Sequence, residues 1–139
     1  MGSDVPPKPP DHRPSVLVVD DDQDARSIYA TYLQSKGCEV FTAPDGRRAI
    51  QKAQDLWPDI ILMDLAMPRL DGWEAIRQLR ESSWTRAIPI IAISAVPMSE
   101  ESALQAGSDA YLEKPCDLGA LWLQICALMD GAGAQSSRR

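Results

Sequence analysis

Between residues 15 and 130, short apolar runs alternate with segments whose apolar positions recur every three or four residues. The runs at 16–19, 59–63 and 88–93 show almost no polar alternation, and weaker runs lie at 39–42 and 109–112. A strand that is apolar at consecutive positions is buried on both faces, as in a parallel sheet covered by helices on each side. The intervening segments read as helices. The first, about 23–36, places Ala25, Ile28, Tyr29, Tyr32 and Leu33 on one side and stops at Gly37. A second covers about 45–56. The third opens with Asp71 and Glu74 at capping-box spacing, and the fourth runs from Ser99 to Gly107. The last, opened by Asp117, carries Leu118, Leu121, Trp122, Ile125 and Met129 as a core-facing stripe.

Strict alternation of strand and helix predicts an α/β doubly wound sheet with right-handed crossovers, and such sheets bind ligands beyond the carboxyl ends of their strands. That edge is chemically rich. The first strand ends on Asp20, Asp21 and Asp22, the third on Asp64, the fourth on Ser94, and the fifth is followed by Lys114. Carboxylates so close repel one another, so a cation or hydrogen bonds must balance them. An oxygen-only cluster suits Mg²⁺. Capping of the next helix explains one acid, and Asp22 is left open between that role and tuning of a metal site. An aspartate beside Mg²⁺ can attack phosphorus, while a lysine and a hydroxyl hold phosphoryl oxygens, the roles open to Lys114 and Ser94.

The bulk numbers narrow the setting. A chain of 139 residues, 45% hydrophobic and 24% charged, suits one globular domain. Residues 1–14 and 131–139 read as flexible tails around a domain at 15–130, and "PPKPP" as a semi-rigid linker. No apolar stretch has membrane-spanning length and the N-terminus has no secretory core, so a cytoplasmic protein is expected. The net charge of −6 argues against direct nucleic-acid binding. Cys38, Cys116 and Cys126 show no CxxC spacing, which speaks against a disulfide framework or a zinc site. His12, the sole histidine, lies in the proline-rich tail.

"VLVVDDDQDAR", "PDIILMDLAMPRLDGWE", "IPIIAISA" and "AGSDAYLEKP" together resemble the receiver domain of two-component response regulators, over about 15–129. The resemblance implies a flavodoxin-like sheet of five parallel strands, order 2-1-3-4-5, with five helices. It implies Asp64 as phosphoacceptor for a phosphoryl group from a sensor histidine kinase or phosphotransfer protein. Asp21 would bind Mg²⁺ directly, Asp20 through water, and Ala66 through its backbone carbonyl. Ser94 would be the switch hydroxyl, Tyr111 the switch aromatic, and Lys114 the phosphoryl-binding cation, with a cis bond to Pro115. Phosphorylation would then alter the surface of the fourth helix, fifth strand and fifth helix for a downstream protein target or a second copy. Such a domain catalyses only its own phosphorylation and dephosphorylation.

Several expectations concern this chain alone. Ala66 and Val96, two residues beyond Asp64 and Ser94, cannot orient a water, which predicts a long-lived acyl phosphate. The apolar-poor fourth helix should be less firmly packed than the last. Of four tryptophans, Trp73 and Trp122 are assigned to the core, while Trp57 and Trp84 lie beside loops. Other readings fit less well. A haloacid-dehalogenase-type phosphatase would use Asp20 and Asp22 as its D-x-D but leaves Asp64 unexplained. A flavodoxin would need a phosphate loop where this chain places acids. A receiver fold acting only as a non-phosphorylated interaction module is the main alternative.

Overall fold

The computed structural model describes residues 13–65, 67, 71–95 and 100–138. Its elements alternate as predicted: β1 (Ser15–Val19), α1 (Gln23–Ser35), β2 (Glu39–Ala43), α2 (Gly46–Leu56), β3 (Ile60–Asp64), α3 (Gly72–Glu81), β4 (Ile90–Ser94), α4 (Glu100–Ala106), β5 (Ala110–Glu113) and α5 (Leu118–Arg138). The five strands form one parallel sheet in the order β2-β1-β3-β4-β5.

Period-two alternation within the apolar strands explains the layers. Leu17, Val19, Ile61, Met63, Ile90 and Ala92 point to one face, where they meet Ala49 and Ala53 of α2, Ile76 and Leu79 of α3 and Ala103 of α4. Val16, Val18, Ile60, Leu62, Ile91 and Ile93 point to the other, against Tyr29 and Leu33 of α1 and Leu121 and Ile125 of α5. Because both faces are covered, neither alternate set is free to be polar. Lys36, just past α1, places its ammonium 5.5 Å from the Tyr32 ring and 5.9 Å from that of Trp122, tying α1 to α5.

The helix ends follow their sequence signals. Asp22, Asp45 and Asp71 are N-caps whose carboxylates accept from the amides of Asp24, Arg48 and Glu74. At Asp71 the box is half formed, since Glu74 turns instead to Arg77 and Gln78. Gly37 and Gly107 take positive φ after α1 and α4, as expected of their stop positions.

Three readings are corrected or refined. Ile28, assigned to the core side of α1, is 57% exposed, because the buried stripe is narrower and centres on Tyr29 and Leu33. Residues 131–138, expected as a flexible tail, continue α5 as helix. Trp57 and Trp84, on separate loops, stack with centroids 5.6 Å apart and planes within 4°, whereas Trp73 and Trp122 pack half-buried against the two cores. No helix of the described residues is long and apolar enough to cross a membrane.

Candidate phosphoryl and metal site

Sheet register builds the site. Val19 pairs with Met63, so the next residues, Asp20 and Asp64, emerge side by side at the carboxyl edge. Asp64 in turn pairs with Ile93, one residue before Ser94, and Ser94 pairs with Glu113, one residue before Lys114. Four strands thus deliver their polar ends to one place.

The acids there converge. Carboxylate oxygens of Asp20, Asp21 and Asp64 all lie within 4.8 Å of one another, Asp20 and Asp64 buried and Asp21 exposed. Asp22 is not in this group; its carboxylate caps α1. Three carboxylates and no nitrogen or sulfur donor form a hard-cation donor set, so the residues present fit Mg²⁺.

Asp20 is the most constrained of them. Its amide donates to Ala43 O at 3.1 Å, one carboxylate oxygen accepts from the Asp22 amide at 2.9 Å, and the other accepts from Lys114 Nζ at 2.7 Å. Lys114 also lies 3.4 Å from Asp64 Oδ2, spanning both buried acids. Its backbone amide donates to Ser94 O at 2.8 Å, and its peptide bond to Pro115 is cis, as the resemblance implied. Burial pulls the Lys114 pKa down, but the hydrogen bond to Asp20 and the charges of Asp64 and Asp20 more than offset this and hold it above the ordinary lysine value. Ser94 is buried at the end of β4. Tyr111, on β5, packs against the α2–α3 side of the core, and its hydroxyl is enclosed without a hydrogen-bond partner among the described residues. Ala66 and Val96 lie outside the described residues.

The site holds further residues that sequence patterns did not single out. Tyr29 of α1 is buried, its hydroxyl 3.5 Å from Cys116 Sγ, on the turn that follows Lys114. Arg26 donates to Asp20 O at 2.7 Å. Gly72 opens α3 directly against the end of β3. The sole sequence signal for these was a glycine following a cap; the others lie on a helix whose periodicity reports burial, not contact.

A family model described as "Response regulator receiver domain" matches residues 16–125. The chain belongs to the response regulator receiver family. Among curated relatives, this receiver is 43% identical over 115 residues to the KDP operon transcriptional regulatory protein KdpE of Escherichia coli, covering 80% of this chain and 49% of that protein. It is 37% identical over 102 residues to Protein PilG of Pseudomonas aeruginosa, covering 72% and 76%. Against several relatives such as KdpE the chain spans about half their length. Among solved structures, a Francisella response regulator receiver domain superposes with a TM-score of 0.79 at 31% identity, covering 85% of this chain and 98% of that one. The chemotaxis protein CheY4 of Vibrio cholerae gives 0.78 at 31% identity, covering 84% and 98%. The receiver is thus a two-component signalling module of flavodoxin-like fold.

Proposed function

We propose that this receiver accepts a phosphoryl group on Asp64 from the phosphohistidine of a sensor histidine kinase or phosphotransfer protein. A carboxylate oxygen of Asp64 attacks phosphorus, the phosphorus–nitrogen bond breaks, and its electron pair leaves with the imidazole. The observation that carries this reading is the convergence of Asp64 with Asp20, Asp21 and Lys114 at the end of a buried parallel sheet. A Mg²⁺ ion held by Asp20, Asp21 and Asp64, with the Ala66 carbonyl as a further donor, would supply charge stabilisation to the transferring group.

The chain's own residues do the rest. Lys114 moves its charge from the carboxylate pair to the incoming phosphoryl oxygens, while Ser94 offers its hydroxyl to another. The drawing of Ser94 towards that oxygen is the event that biases Tyr111, and with it the surface of α4, β5 and α5, towards a partner-binding state. The partner is a downstream protein, and no external substrate is turned over.

Intact-protein mass after incubation with acetyl phosphate and Mg²⁺ tests the reading. One phosphoryl adduct is expected, absent in Asp64→Asn and in the presence of EDTA. No adduct from acetyl phosphate or from a phosphorylated kinase would overturn it in favour of a non-phosphorylated interaction module.

A further inference from the structure

Asp20 and Asp21 are consecutive residues, and consecutive side chains leaving a strand point to opposite faces of the sheet. Their carboxylates nevertheless meet each other and Asp64 within 4.8 Å, one buried and one exposed. The chain must therefore depart from strand geometry at the Asp20–Asp21 peptide. The carbonyl of that peptide is held: Asp20 O accepts a 2.7 Å hydrogen bond from Arg26 Nη1.

Arg26 is well placed to brace this loop. It sits in the first turn of α1, where its own amide donates to Asp22 O at 3.0 Å, so one residue grips the acid loop by backbone and side chain. Acids at positions 20, 21, 22 and 24 surround it in sequence, yet its half-buried guanidinium forms no ion pair with any described carboxylate. It spends its hydrogen bond on the backbone and leaves the carboxylate oxygens of Asp20 to Lys114 and the Asp22 amide.

We propose that Arg26 is a positioning residue for the cation site, locking the Asp20–Asp21 peptide so that two adjacent carboxylates serve one ion. The inference rests on the acid cluster being a Mg²⁺ site. Its physical signature is a sign. A positive charge beside a cation site opposes binding by Coulomb repulsion, so removing it should tighten Mg²⁺ binding if charge alone matters. Removing a brace should weaken it instead.

Calorimetric titration of the whole chain with Mg²⁺ separates the two, using wild type, Arg26→Met, Arg26→Gln and Arg26→Lys, with thermal unfolding to establish that each is folded. Arg26→Met is expected to bind Mg²⁺ about tenfold more weakly, the usual scale for loss of a residue that orients a metal ligand. Arg26→Gln and Arg26→Lys, each keeping a donor, should fall between; Gln is also the variant to use if Met fails to fold. In phosphorylation by acetyl phosphate, the Mg²⁺ needed for half-maximal rate should rise while the rate at saturating Mg²⁺ is retained. Equal or tighter Mg²⁺ binding by folded Arg26→Met or Arg26→Gln overturns the positioning role alone. A wild type that binds no Mg²⁺ overturns the metal reading and this inference with it.

Discussion

Gly72 and Asp64 are in contact through their backbones: a Cβ at Gly72 would lie 2.2 Å from the Asp64 carbonyl oxygen and 2.6 Å from Leu65 Cα. The Gly72 amide in turn donates to Leu65 O at 3.2 Å. The start of α3 is thereby seated on the residue that carries the proposed chemistry. Because the opposing atoms are backbone, Gly72→Ala cannot be absorbed by a rotamer change and must lift α3 away. A loss of about 1–3 kcal/mol in urea denaturation is expected, the range for forced overpacking, together with slower phosphorylation of Asp64. Unchanged stability and rate would show that this seat yields freely.

Tyr29 gives a pH dependence. Burial, then the hydrogen bond and charge of Cys116, then the charges of Asp20 and Asp64, push its hydroxyl well above the ordinary tyrosine pKa. A pKa raised by folding means that the protonated form is favoured in the native state. The contribution is complete below the unfolded value of about 10 and is lost as pH rises above it. The melting temperature of the wild type should therefore fall more steeply above that pH than that of Tyr29→Phe, which keeps the ring and cannot ionise. Parallel curves would contradict this.

Arg80 anchors the opposite edge of the sheet. Its guanidinium donates to Gly107 O, Arg86 O, Ile88 O and Asp109 Oδ2, each at 2.8 Å, joining α3 to the starts of β4 and β5. Arg80→Met leaves these acceptors short of a charged donor, and about 2–4 kcal/mol of stability should be lost in chemical denaturation. Since these contacts are remote from the acid cluster, phosphorylation of the folded variant should proceed at the wild-type rate.

Hydrogen exchange should separate the two helices flanking β5. Ala103 is the one buried side chain among those described in α4, whereas α5 buries Leu121 and Ile125 with Leu118, Trp122, Leu128 and Met129 packed around them. Amides of 100–106 should exchange faster than those of 118–129, because fewer apolar contacts resist local opening. The reverse order would show that α4 is held by more than its own packing.

Much of this molecule is legible without coordinates, for reasons that individual residues make plain. The doubly apolar runs around Leu62 and Ile91 require burial on both faces, the caps at Asp45 and Asp71 satisfy orphan helix amides within three residues, and Gly37 and Gly107 mark helix ends. These are local effects or one-dimensional periodicities. Strand-end acids, hydroxyl and lysine follow from them once the sheet is parallel, since a parallel sheet carries all its strand ends to one edge. The exposure of Ile28 is not legible in this way, because helical spacing gives a face but not how wide a stripe its neighbours cover.

Sequence alone thus determined the element order, the two-faced core and the polar set Asp20, Asp21, Asp64, Ser94 and Lys114, because each is written in spacing or in local hydrogen bonding. Only tertiary structure decided that the Asp22 carboxylate turns to its helix and that Lys114 spans Asp20 and Asp64. It alone brought Arg26, Tyr29 and Gly72 to the site. Such contacts depend on distances between side chains or backbones of separate elements, which register and packing set and no pattern along one segment records.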